Sequence, residues 1–159
     1  MQKISPFLWF NDTAEEAANF YISIFDDARI IDVSRYQEGG PGPAGSVMSV
    51  SFQLEGQEFL ALNGGPEFTF SEAVSFFIHC ENQAEVDRLW DVLTEGGSES
   101  QCGWLVDRYG LSWQVIPDRL GELLGGSDAD GAKRALQAML TMQKIDIKVL
   151  EDAYAGAGA

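Results

Sequence analysis

At 159 residues and 45% hydrophobic composition, the chain is long enough to bury one ordinary core without disulfide or metal staples. Ten Lys and Arg against 25 Asp and Glu give a formal net charge of −15, which repels phosphate backbones and anionic membrane surfaces and argues against nucleic acid or membrane as a partner. No charged-then-apolar leader opens the sequence, no apolar run approaches the roughly 20 residues of a membrane span, and two cysteines make no spaced framework, so a cytoplasmic location is expected.

In chain order, Lys3 to Phe10 alternates apolar and polar residues and predicts a strand. Ala17, Phe20, Tyr21, Ile24 and Phe25 then mark the apolar face of a helix ending near Asp26. Three strands follow, Ala28 to Tyr36, Ser46 to Leu54 and Gln57 to Asn63. The first two are separated by Glu38-Gly39-Gly40-Pro41-Gly42-Pro43 and the last two by the tight Glu55-Gly56 turn. Val74 to Cys80 predicts another strand, Ala84 to Leu93 a helix with Val86, Leu89, Trp90 and Leu93 on one face, and shorter strands lead to Leu111–Ile116.

From Asp118 onward the pattern is helical: Ala135, Leu136, Met139, Leu140 and Met142 form an apolar stripe, and Asp146 is placed to cap a short helix through Tyr154. This appendix is expected to pack on the domain or on a partner subunit. The terminal Ala-Gly-Ala-Gly-Ala is expected to fray.

The two strand-helix runs are copies of one unit, seventy residues apart. Ser5 corresponds to Ser75, and Phe7-Leu8-Trp9-Phe10 to Phe77-Ile78-His79-Cys80. Asp12-Thr13-Ala14-Glu15 and Asn82-Gln83-Ala84-Glu85 are matching helix starts, each with an N-cap side chain and a glutamate three residues on. The sequence therefore predicts an α+β fold of two tandem βαβββ units related by pseudo-twofold symmetry, with a shared cleft and a C-terminal helical extension.

Tandem βαβββ units resemble the vicinal oxygen chelate superfamily, the group of glyoxalase I, bleomycin-resistance proteins, fosfomycin-resistance enzymes and extradiol dioxygenases. The closer resemblance is to its PhnB-like branch, often labelled demethylubiquinone methyltransferase-like. It is carried by Pro6-Phe7-Leu8-Trp9-Phe10, Ala14-Glu15-Glu16-Ala17, Phe20-Tyr21, Leu62-Asn63-Gly64-Gly65-Pro66, Cys102-Gly103-Trp104, Asp107-Arg108-Tyr109-Gly110-Leu111-Ser112-Trp113-Gln114 and Met142-Gln143-Lys144-Ile145-Asp146. On this resemblance residues 1–159 form a single glyoxalase-like domain, with a first unit at 1–66, a second at 71–117 and a helical tail at 118–159. No methyl-donor site is read: the glycine-rich Gly39 to Gly45 stretch lies between two strands, where a hairpin loop is expected.

In the superfamily a divalent metal is held by His, Gln or Glu on the first and last strand of each unit. The resemblance places those positions at Ser5 and Ser75 on the first strands and at Asn63 and Gln114 on the last. Neutral serine, asparagine and glutamine supply neither charge nor a strong nitrogen donor, so no metal and no other cofactor is expected.

His79, the only histidine, alternates onto the same strand face as Ser75 and Phe77 and is a candidate general base or ligand contact. Cys80 alternates toward the helix and reads as core, whereas Cys102 is expected to share a short-strand face with Trp104 and is a candidate nucleophile. Trp9, Phe7 and Trp104 are the candidate aromatic lining, with Trp113 packing against a helix if Gln114 faces the cleft. Glu15, Glu16 and Glu85 in helix first turns, and the turn at Asp107-Arg108, read as structural.

Three function classes stay open. The first is a metal-independent protein holding a small organic molecule on Ser5, Trp9, Asn63, Ser75, His79, Cys102, Trp104 and Gln114. The second is a lyase, isomerase or transferase using His79 or Cys102. The third is a dimeric interaction protein whose Met139 and Met142 stripe meets a partner. A homodimer is expected in each case.

Overall fold

The structure is a computed structural model and describes residues 2–156. Residues 157–159, where most of the expected fraying falls, lie outside the described residues. The chain divides into two compact units, Met1–Phe70 and Ser71–Ala159.

The first unit runs β1 (Phe7–Phe10), α1 (Ala14–Ile24), β2 (Ala28–Arg35), β3 (Val47–Leu54) and β4 (Gln57–Asn63), with sheet order β1-β4-β3-β2. β1 and β4 are parallel and the other neighbours antiparallel. The strand that was expected from Lys3 begins only at Phe7, because Pro6 has no N–H to give the ladder, although its carbonyl still accepts from the Leu60 amide at 2.9 Å. Alternation sends Leu8, Phe10, Val50, Phe52, Leu54, Phe59 and Ala61 into one buried face, and Ala14, Ala17, Ala18, Tyr21 and Ile24 of α1 close over it. Three alanines on that helix face let α1 approach the sheet, and Tyr21 and Phe52, each 1% exposed, contribute about 1.5–3 kcal/mol apiece by burial.

The turn between β3 and β4 has both central residues at positive φ, Glu55 at 47° and Gly56 at 82°. That is the hairpin geometry whose twist matches the flanking strands. Glu55 tolerates it because its carboxylate accepts from the amides of Asp26 and Asp27 at 3.1 and 3.3 Å. The glycine-rich stretch is a hairpin loop between β2 and β3, closed by Tyr36 N–H to Ser46 O and Gly45 N–H to Tyr36 O, both 2.9 Å.

The second unit repeats the plan in β5 (Ser75–Cys80), α2 (Gln83–Thr94), β6 (Ser98–Glu99), β7 (Trp104–Val106) and β8 (Ser112–Pro117), ordered β5-β8-β7-β6. Asn82 caps α2 as expected, its side chain accepting from the Glu85 amide at 2.9 Å. The matching cap at Asp12 does not form: the cap position of α1 is Thr13, whose side chain makes no cap hydrogen bond.

Beyond Pro117 the described residues of the tail form three helices, α3 (Asp118–Leu124), α4 (Ala129–Met139) and α5 (Ile147–Ala155). The short α3 lacks a readable apolar period but buries Leu120 and Leu123. With Ile116, Ala135, Ile145 and Leu150 they make a core onto which Met139 and Met142 pack. The methionines of the stripe are thus partly buried against their own unit, while Leu136 and Leu140 stay 41% and 58% exposed. Asp146 caps α5 by accepting from the Val149 amide at 3.2 Å. Gln83 locks the tail to α2, donating to Ile145 O at 2.9 Å and accepting from the Ile147 amide at 2.8 Å.

Candidate functional site

Helix α2 covers one face of the second sheet through Cys80, Leu105, Trp113 and Val115, which alternation sets apart from Ser75, Phe77, His79, Trp104, Ser112, Gln114 and Ile116 on the opposite face. Strand register arranges that second set in rows. Phe77 stands beside Gln114 and Gln114 beside Trp104, the next row is Ser75–Ser112–Val106, and His79 stands beside Ile116. Five of the residues singled out from the sequence therefore share one face: Ser75, Phe77, His79, Trp104 and Gln114. Trp113 points the other way, as expected.

Ser75 and Gln114 meet directly, Gln114 Nε2 donating to Ser75 Oγ at 3.0 Å. Both are half-buried, and Phe77 beside them is 48% exposed. His79 lies toward the tail, with its ring centroid 4.8 Å from that of Phe77 and Nδ1 3.5 Å from Asp118 Oδ1. Its side chain is 76% exposed, so this contact orders it little.

Cys102 is not in a strand. It occupies a turn at φ 58°, its amide donating to Met142 O at 2.8 Å, and Gly103 at φ 85° donates to Gln143 O at 2.8 Å. The two-residue alternation that paired it with Trp104 fails because the strand begins only at Trp104. Cys80 is fully buried, and desolvation, aided by the negative charges of Glu85 and Asp118, pushes its thiol up to about 12. A thiol so held is neutral and inert.

In the first unit the last-strand position needs correction. Phe77 pairs with Gln114, and its counterpart Phe7 pairs with Leu60, so Leu60 rather than Asn63 stands where Gln114 does. Asn63 follows Phe59 and Ala61 onto the helix-covered face, where its Oδ1 accepts from the Ala14 amide at 2.8 Å and its Nδ2 donates to Val47 O at 3.3 Å. It supplies the cap that Asp12 and Thr13 do not. Ser5 lies before β1, its Oγ accepting from Gln2 Nε2 at 3.1 Å.

Phe7 and Leu60, 57% and 37% exposed, share the face opposite α1 with Trp9. Trp9 is fixed there: its indole N–H donates to Gly65 O at 3.0 Å, Phe68 meets it edge-on at 5.0 Å, and a Cβ on Gly64 would run into its ring. A separate cavity of about 590 Å³, missed by sequence reasoning, lies at the start of α1 beside the β2–β3 loop and is lined by Asp12, Glu16, Arg35, Tyr36, Val47 and Asn63 among others. Arg35 is held there by both carboxylate oxygens of Glu15 at 3.2 and 3.1 Å.

Asp107, read from the sequence as part of a structural turn, does more than that turn requires, and Ser112 was passed over. Asp107 is a buried hub: Oδ1 accepts from the amides of Tyr109 and Leu111 at 2.8 and 3.1 Å, and Oδ2 from Trp113 Nε1 at 2.9 Å. Ser112 Oγ is buried with no hydrogen-bond partner; its place two residues before Gln114 is the signal that could have found it. Among the described residues no group of three or more His, Cys, Asp or Glu side chains converges to hold a metal ion, and no helix is long and apolar enough to cross a membrane.

Two four-stranded sheets built as tandem βαβββ units, with helices following the second, define a glyoxalase-like fold. The model of the 3-demethylubiquinone-9 3-methyltransferase family matches residues 2–116. A PhnB protein from Bacillus cereus is 41% identical over 73% of this chain and 99% of its own, with a TM-score of 0.68. PA1353 from Pseudomonas aeruginosa is 22% identical over 74% of this chain and 98% of its own, with a TM-score of 0.61, and shares the fold. No curated protein matches the chain. The chain belongs to the PhnB-like 3-demethylubiquinone-9 3-methyltransferase family.

Proposed function

We propose that the chain binds a small organic molecule without a resident metal, on the face of the second sheet that carries Ser75, Phe77, Trp104 and Gln114. The observation that supports this reading is the 3.0 Å hydrogen bond from Gln114 to Ser75. The two positions of the second unit where the superfamily resemblance calls for metal ligands, Ser75 and Gln114, hold neutral side chains that hydrogen-bond to one another. A transition metal at this pair would have one amide oxygen and one hydroxyl, a weak donor set. Phe77 and Trp104 flank the pair and offer apolar contact, the mix of few polar groups and much aromatic surface that suits a small ligand.

Methyl transfer, named by the family description, draws no support from the glycine-rich stretch, which closes a hairpin between β2 and β3. The second reading is a lyase, isomerase or transferase in which His79 moves a proton. Its support is that His79 lies on the same face as Gln114, with Nδ1 3.5 Å from Asp118 Oδ1. A cytoplasmic homodimer belongs to the proposal, and exposed Leu136 on α4 and Leu140 at its C-cap are apolar surface that a second copy could cover.

Native mass spectrometry of untreated protein with parallel metal analysis tests the first reading. A metal-free dimer carrying an added small mass supports the binding protein. Stoichiometric metal that is lost in Gln114→Ala would overturn it and restore a metalloenzyme.

A further inference from the structure

Ser112 Oγ is, among the described residues, a buried side-chain oxygen with no hydrogen-bond partner. Leaving a hydroxyl so placed without a partner is unfavourable, and a strand offers apolar residues of similar size that would avoid the loss. Its position is informative. Ser112 opens β8 beside Ser75 of β5 and lies two residues before Gln114, so alternation sets it on the face already described.

The donors and acceptors there are complementary. One N–H of Gln114 Nε2 is directed at Ser75 Oγ, which leaves the Ser75 hydroxyl proton to donate outward and Gln114 Oε1 to accept. Ser112 adds a second hydroxyl donor. We infer that Ser75 and Ser112 donate together to one oxygen of the bound molecule, and that Ser112 determines specificity for a neutral carbonyl. This rests on the binding face proposed above.

Neutrality follows from burial. Ser112 is 1% exposed, so an oxygen that reaches it is itself buried, and neither serine carries charge to compensate a carboxylate or an ammonium group. A ketone, aldehyde or amide oxygen accepts two hydroxyl protons without that penalty. Phe77 and Trp104, in the adjacent row with Gln114, suit an aromatic or conjugated body attached to the carbonyl.

Acetophenone and ethylbenzene serve as probes of similar shape with and without the carbonyl oxygen, titrated by NMR into the full chain while following the Gln114 side-chain amide and the Trp104 indole. Wild-type protein is expected to bind acetophenone more tightly than ethylbenzene. Ser112→Ala is expected to weaken acetophenone by about three- to tenfold, the loss of one neutral hydrogen bond, and to leave ethylbenzene unchanged. Its melting temperature, expected to stay level or rise since the atom removed has no partner, shows that the variant folds. Equal affinity of wild type and Ser112→Ala for acetophenone, or equal weakening of both probes, would overturn the role of Ser112 while leaving the binding face in place. If neither probe moves Gln114 or Trp104 in wild-type protein, the face itself is wrong and Ser112 falls with it.

Discussion

Asn63, the last residue of β4, caps α1 by accepting a hydrogen bond from the Ala14 amide at 2.8 Å. Strand end and helix start are thus joined across 49 residues, and the helix owes its cap to a residue outside its own sequence neighbourhood. Asn63→Ala is expected to cost about 1–2 kcal/mol in urea unfolding. Asn63→Asp, which keeps the acceptor and adds charge favourable to the helix N-terminus, should recover most of that loss.

Gly64 lies against the Trp9 indole, with no room for a Cβ. Gly64→Ala must push the ring off Gly65 O and Phe68, at a cost of about 1–3 kcal/mol from overpacking. Denaturant titration reads the cost, and a red shift of tryptophan emission at unchanged fold reads the displaced ring.

Asp107→Ala removes the acceptor of three donors at once, leaving the buried Trp113 indole N–H and the Leu111 amide without it. A loss of at least about 3 kcal/mol is expected. Asp107→Asn should help only partly, because the amide nitrogen turned toward the indole is a donor facing a donor. Thermal unfolding of the two variants side by side checks the order.

Cys80 gives a pH signature. Its folded-state value of about 12 lies above the ordinary 9.0, so the unfolded chain loses this proton first. Above pH 9 the unfolded state binds fewer protons than the native one, and stability falls with rising pH by at most about 1.4 kcal/mol per unit until pH 12. Cys80→Ala should flatten that decline. At pH 8 a thiol-disulfide reagent should modify half-buried Cys102 in native protein and reach Cys80 only on unfolding.

Gln83 spans the junction of α2 and tail with two hydrogen bonds. Gln83→Ala is expected to destabilise the chain by about 1–3 kcal/mol. The loss should be greatest at the tail, so hydrogen exchange at Ile147 and the amides of Cys102 and Gly103 should quicken before that of β8.

Much of this was legible in the residues. Apolar spacing located α1, α2 and the α4 stripe, and the seventy-residue echo paired Phe7 with Phe77 and Ser5 with Ser75. Alternation placed Cys80 and Trp113 under the helix and His79 on the other face. What failed was register. Choosing Leu60 over Asn63 required knowing which residue of β4 lies beside Phe7, and parallel pairing leaves no local mark in the sequence. Cys102 failed for a related reason: a turn residue at positive φ breaks the alternation that would have fixed its face. Asp107 looked like an ordinary turn residue because its partner Trp113 is named only by folding.

The bonds from Cys102 and Gly103 to Met142 and Gln143 fasten the helical extension to the strand entry at Trp104, and Ile116 is roofed by the same extension. One border of the face that holds Gln114 is therefore set by residues outside the repeat. The depth of that face can diverge by altering 118–156 alone, leaving every strand untouched, so two members of this family with superimposable sheets need not recognise molecules of the same length.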